Sequence, residues 1–76
     1  MPTLLIKNGF KFFFYANEHL PRHIHVIKGD NYAKIELGSM TIVENYFSKS
    51  ELKKVLKITQ EYSEFFIRKW DEYFKR

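Results

Sequence analysis

Hydrophobic and polar residues alternate along the first part of the chain and recur at helical spacing along the last. Thr3 to Lys7 reads as a strand. Asn8-Gly9 follows it, the strongest two-residue hairpin signal, because both positions tolerate positive φ. Phe10 to Tyr15 is the returning strand, with Phe10, Phe12 and Phe14 on one face and Lys11, Phe13 and Tyr15 on the other. Aromatic rings on both faces imply that neither is fully wet. A loop from Ala16 to Arg22 leads to His23–Lys28, where Ile24 and Val26 point one way and His23, His25 and Ile27 the other. Gly29-Asp30 suits a type II′ turn, and Tyr32 to Leu37 is the partner strand. A two-residue loop pairs Lys28 with Asn31, and so Val26 with Ala33, His25 with Lys34 and His23 with Glu36. A three-residue loop mixes the two faces, so burial of one face selects the first register. In that register the histidine face lies opposite the covering helix. Gly38-Ser39 ends the strand, and Met40 to Glu44 reads as a short fifth one.

The remaining chain is helical. Ser48-Lys49-Ser50-Glu51 is a capping box in which Ser48 caps and Glu51 reaches back. No Gly or Pro interrupts the pattern to about Phe74. Leu52, Val55, Leu56, Thr59, Tyr62, Ser63, Phe66, Trp70, Tyr73 and Phe74 fall in one arc of about 120°, the face that covers the sheet. The fold expected is α+β: an antiparallel sheet of four or five strands, built from hairpins, packed on one long C-terminal helix. The whole chain, 1–76, forms a single domain, with the sheet in 1–44 and the helix in 48–74. One tension remains. A straight helix of this span is about 39 Å long, whereas a compact domain of this size is about 29 Å across. The helix therefore overhangs and packs on another chain through Ile58 and Phe65, which lie beside the core arc, or it bends near Tyr62-Ser63 and takes that ridge into its own core.

Composition narrows the class of protein. Eight Phe, five Tyr and one Trp offset the thin margin of so short a chain, since each ring brings a large apolar area. There is no cysteine, which excludes disulfides and thiolate metal sites. The aromatic core implies that no metal or other cofactor is needed to fold. The first residues are too weakly apolar for a signal peptide, and no apolar run could span a membrane, so a cytoplasmic protein is expected. The net charge of +4, carried mostly by the C-terminal segment, permits nucleic acid as a partner without requiring it.

The candidate chemistry sits in Asn17 to Val26, N-E-H-L-P-R-H-I-H-V, which holds all three histidines of the chain. His23 and His25 on one strand face stand about 6.6 Å apart along the chain. That spacing lets two imidazoles share a metal, with His19 in the loop as a third ligand. It equally suits acid–base chemistry, with Glu36 across the ladder fixing a tautomer. It also suits a structural role in which the rings bond to Glu36 and backbone. The candidate catalytic set is His19, His23, His25 and Glu36. Arg22, Lys34 and Tyr15 flank the same face, and basic groups interleaved with aromatic rings suit contact with an anion or single-stranded nucleic acid.

The segments F-F-F-Y-A-N-E-H-L-P-R-H-I-H-V, K-G-D-N-Y-A-K and F-S-K-S-E-L-K-K-V, with the start M-P-T and the terminal W-D-E-Y-F, resemble the small prokaryotic family called domain of unknown function 4160. The E-H-x-P-x-H-x-H motif is the most specific part of the likeness. Glu18, His19, Pro21, His23 and His25 match it, and Arg22 departs from it where the family often has a second Pro. The resemblance implies a small partner protein encoded nearby, in arrangements like toxin–antitoxin loci, and assigns no catalytic residue. Three functional readings follow. The first is a binding or regulatory module, a component of a toxin–antitoxin-like pair, that contacts a partner protein or nucleic acid through the histidine face. The second is a small ribonuclease-like enzyme using histidine acid–base chemistry, and the third a metal-binding histidine cluster.

Overall fold

The computed structural model describes residues 2–74; Met1 of the M-P-T start and the last two residues of the chain lie outside them. Five antiparallel strands follow one another in the sheet in chain order: β1 (Thr3–Lys7), β2 (Phe10–Phe13), β3 (His23–Lys28), β4 (Asn31–Glu36) and β5 (Ile42–Asn45). The turns take the geometry that their residues favour. Asn8 and Gly9 both have positive φ (54° and 83°), and Gly29 sits at φ 59° at the head of the second hairpin. The β3–β4 ladder has the register that burial selects, with Lys28 opposite Asn31, Val26 opposite Ala33, His25 opposite Lys34 and His23 opposite Glu36. β5 starts two residues later than its pattern suggested. Met40 has φ 61°, a left-handed conformation that cannot continue a strand.

Alternation puts Phe10, Phe12 and Phe14 on the covered face, where all three are fully buried. Each finds its own aromatic partner. Phe10 meets Phe47 edge-on at 5.6 Å, Phe12 stacks on Phe66 at 5.5 Å, and Phe14 meets Trp70 edge-on at 5.3 Å. Ile24, Val26, Ala33 and Ile35 complete this layer.

The covering element is two helices rather than one long helix: α1 (Lys49–Glu61) and α2 (Ser63–Tyr73), joined at Tyr62. Tyr62 leaves helical geometry (φ −106°, ψ 14°). Even so, its amide still donates to Ile58 (3.0 Å) and its carbonyl still accepts from Phe66 (2.9 Å). The interruption is therefore a kink and not a loop. No Pro or Gly causes it. Thr59, fully buried one turn earlier, donates its hydroxyl to the Val55 carbonyl at 2.7 Å, a back-bond that bends helices, and Ser63 follows directly.

The kink resolves the tension of length. The radius of gyration is 11.4 Å, and Ile58 is only 4 % exposed, within the core. Phe65 is half-buried against that core. Conversely Tyr73, expected on the face that covers the sheet, is 55 % exposed, although Trp70 and Phe74 in the same turn stay buried. Ile58→Ala should then cost about 2–5 kcal/mol, the range for deleting a buried Ile, in urea denaturation. A cost below about 0.5 kcal/mol, typical of surface changes, would return Ile58 to the exterior.

The helix start also differs in part from its pattern. Ser48 caps by accepting from the Glu51 amide at 3.2 Å. The Glu51 carboxylate does not reach back to the cap; it takes the Lys28 ammonium at 2.9 Å and so ties the β3–β4 turn to α1. Among the described residues, no helix is long and apolar enough to cross a membrane.

Candidate functional site

The face away from the helices is not an open row of imidazoles. His23 and His25 are 5 % and 4 % exposed, because the loop between β2 and β3 folds back over them and delivers Glu18 between the rings. The Glu18 carboxylate bridges the pair: Oε1 accepts from His23 Nε2 and Oε2 from His25 Nε2, both at 2.7 Å. The Tyr15 amide donates to Oε2 at 2.9 Å, which fixes the loop at its start. The far ring nitrogens are also engaged. His23 Nδ1 lies 2.8 Å from the Pro21 carbonyl, and His25 Nδ1 lies 2.9 Å from the Tyr32 hydroxyl.

These contacts constrain the protons. A carboxylate and a backbone carbonyl only accept, and a neutral imidazole has a single N–H. His23, placed between two acceptors, therefore calls for one more positive charge than its neutral ring supplies. His25 is satisfied as a neutral ring, with Nε2–H to Glu18 and Nδ1 accepting from Tyr32. Burial first, then Glu44, Tyr15 and Glu18, push the Tyr32 hydroxyl up to about 12, so it keeps its single proton, for which His25 Nδ1 and the Glu44 carboxylate compete.

Burial also lowers the pKa of His25 below its ordinary 6.5, outweighing the opposing pull of Glu18, with His23 and Lys34 adding to the depression. For Glu18 burial acts upward, but the Tyr15 amide, the His23 hydrogen bond and the charges of His25 and His23 outweigh it and bring its pKa below 4.5. Both depressions have the same consequence for stability. The unfolded chain takes up protons at a higher pH than the folded one, so the contribution is complete above the unfolded values and fades as pH falls through the folded ones. In EDTA-treated protein the melting temperature should drop as pH goes below 6.5, through His25, and again below 4.5, through Glu18. Glu18→Gln should abolish the second step. A melting temperature flat from pH 7 to pH 4 would contradict the arrangement.

Aromatic rings extend the network sideways. Phe13 stacks on His25 at 5.4 Å, Tyr15 meets it edge-on at 4.5 Å, Tyr32 stacks on it at 6.0 Å, and Tyr46 stacks on Tyr32 at 6.5 Å. At the sheet end, His23 touches the Trp70 ring at 5.0 Å. The register puts the histidines on the outer face, as expected, but Trp70 reaches around the start of β3, so His23 is not separated from α2.

Beside the network lies a hollow of about 440 Å³, lined by Glu18, His19, Leu20, His23, Lys34, Glu36 and Val43 among others. Of the residues expected at the site, His19, His23, Lys34 and Glu36 meet here. His25 lies beneath the loop, and Tyr15 is half-exposed beside it. Arg22 is elsewhere: its guanidinium is held by Asp71 of α2 at 2.8 Å. Glu36 stands opposite His23 in register, but the ring nitrogens are taken by Glu18, Pro21 and Tyr32, so Glu18 fixes them and Glu36 does not. His19 is exposed on the rim. Among the described residues the atoms able to share a metal belong to Glu18, His23 and His25, within 4.8 Å of one another. His19 is not in that set. Glu18 could have been weighed from sequence as a carboxylate five residues before His23; the loop's fold back over the strand was not visible there.

These features define a small α+β protein whose sheet is covered by a kinked helix pair on one face and clamped by a Glu–His–His network on the other. The family described as Domain of unknown function (DUF4160) matches residues 9–71, and the chain belongs to it. No curated protein and no solved structure matches the chain.

Proposed function

We propose that this protein is a binding module, one component of a toxin–antitoxin-like pair, that docks a small partner protein on the outer face of its sheet. The observation that carries this reading is the apolar rim around the hollow. Leu20 is 60 % exposed and Val43 50 %, and both line it; Tyr46 and Tyr15 continue the apolar surface across the face. Exposed aliphatic and aromatic side chains around a polar floor are what a protein partner covers. Charge on this face is balanced and not basic: Lys34 stands opposite Glu44 in the ladder and shares the hollow with Glu36, while Arg22 is turned to Asp71. That balance favours a protein over nucleic acid, whose binding rests on uncompensated cations. The hydrogen-bonded, buried imidazoles weigh against ribonuclease chemistry, which needs a ring nitrogen free to take a substrate proton.

The test is co-expression with the product of the neighbouring gene, with the complex measured by calorimetry. A complex is expected. Leu20→Asp and Val43→Asp should each weaken it by tenfold or more, since a buried side chain of this kind is worth about 1.5–3 kcal/mol. Absence of a complex, together with RNA cleavage by the purified protein that His23→Ala abolishes, would replace this reading with the enzymatic one.

A further inference from the structure

We propose that Glu18, His23 and His25 form a binding site for one divalent transition-metal ion, of the kind Zn²⁺ represents, with an open coordination position facing the hollow. The proposal does not depend on the partner reading. It rests first on convergence: two imidazole nitrogens and a carboxylate from one short stretch of chain point at a common centre, within 4.8 Å of one another and all buried. Two nitrogens and one carboxylate oxygen form a donor set that holds Zn²⁺ where a fourth position is left for water or ligand. Mg²⁺ and Ca²⁺ prefer shells of oxygen.

The second observation is the proton arithmetic at His23. Its Nδ1 faces a carbonyl at 2.8 Å, so that nitrogen carries the hydrogen. Its Nε2 then faces a carboxylate oxygen at 2.7 Å. Two electron-rich atoms at that distance need a proton between them, and a metal ion can take the proton's place once they separate. The surroundings already suit the ion. A metal-ligating imidazole characteristically donates its other N–H to a backbone carbonyl or similar acceptor, which fixes its tautomer. Pro21 provides that acceptor for His23, and the Tyr32 hydroxyl, 2.9 Å from His25 Nδ1, can provide it for His25. Two neutral imidazoles and a carboxylate leave a single negative charge for a dication, a favourable balance in a buried site.

Geometry states what must move. With bonds of about 2.0–2.1 Å in a tetrahedral shell, the donors stand roughly 3.4 Å apart, so the contacts of 2.7 Å open and the widest separations close. Glu18 rides on a loop whose neighbours Asn17 and His19 are exposed, and that loop supplies the adjustment. The hollow provides the route in, because Glu18 and His23 are part of its lining. The site would close the loop over the sheet and stiffen the surface that carries Leu20.

The experiment uses the full chain, stripped with EDTA and dialysed. Zn²⁺ and Co²⁺ are titrated by calorimetry, with Mg²⁺ as the comparison, while ¹⁵N-detected histidine side-chain spectra are recorded on the wild type. We expect one ion per chain, a rise in melting temperature with Zn²⁺, Co²⁺ visible absorption of a low-coordinate site, and Nε2 shifts at His23 and His25 with His19 unmoved. Glu18→Gln should weaken Zn²⁺ binding at least tenfold, and His19→Ala should leave it unchanged. Should Glu18→Gln unfold, the wild-type spectra still decide. No binding at equimolar Zn²⁺, shifts confined to His19, or an equal response to Mg²⁺ would each overturn the proposal.

Discussion

Glu18→Ala is expected to remove about 3–5 kcal/mol of stability in EDTA-treated protein, the cost of taking one partner from a buried ionic network. Both Glu18 oxygens are bonded to ring nitrogens at 2.7 Å, and the residue is 7 % exposed. Alanine leaves the two ring N–H groups that face those oxygens buried without their acceptor. Each orphaned donor alone costs about 1–3 kcal/mol. A small domain has about 5–15 kcal/mol in all, so a large part of the variant's margin disappears. The contrast is Glu36→Ala, expected within about 0.5 kcal/mol because Glu36 holds neither imidazole. His23→Ala/His25→Ala, which an open histidine face would make a cheap change, should cost several kcal/mol by the same reasoning. Urea denaturation of the three variants beside wild type measures all of this. If Glu18→Ala and Glu36→Ala were equally mild, the bridging carboxylate would not be what secures the loop.

The difference between these two glutamates shows what a sequence can carry. Period-two alternation is a property of the strand alone, so the faces of β2, β3 and β4 and the β3–β4 register were readable, including Val26 opposite Ala33. The turns were readable because Asn8, Gly9 and Gly29 belong to conformations few residues enter. Ser48 could be placed as a cap for the same local reason. Glu36 was a fair choice for the histidines' partner, since it stands opposite His23 in the ladder.

What alternation cannot say is where an irregular loop goes. The return of the loop over β3 depends on the Tyr15 amide meeting Glu18 and on Pro21 presenting its carbonyl to His23, contacts with no period. The helix kink was legible only as one of two alternatives. No Gly or Pro breaks the helix at Tyr62, so the wheel alone placed Ile58 outside the core and Tyr73 inside it. The mismatch between helix length and domain width offered a bend near Tyr62-Ser63, and that bend takes Ile58 into the core. At the site, the structure brings Glu18 between His23 and His25, leaves His19 exposed on the rim, and turns Arg22 to Asp71 of α2.

Trp70 is where the core and the outer network meet, and Trp70→Ala should show it. The indole is 2 % exposed. It packs edge-on against Phe14 at 5.3 Å and the His23 ring at 5.0 Å, and at a tilt against Phe74 at 4.6 Å. Deleting a buried Trp costs about 3–5 kcal/mol through lost burial and the cavity left behind. A second loss is specific to this site. The indole walls one side of His23, so its removal admits water to the buried ring and weakens the bond to Glu18. The two substitutions should therefore not add. Trp70→Ala/Glu18→Ala should cost less than the two single changes together, with a coupling of about 0.5–3 kcal/mol, the range for residues sharing a network. Phe10→Ala is the matched comparison: Phe10 packs on Phe47 at 5.6 Å, at the other end of the sheet, and its cost should add to that of Glu18→Ala within about 0.5 kcal/mol. If a single substitution leaves too little folded protein, the same cycle with Trp70→Phe and Glu18→Gln keeps every member measurable. Strict additivity for the Trp70 pair would mean that α2 and the histidine network stand independently, and that Trp70 serves the core alone.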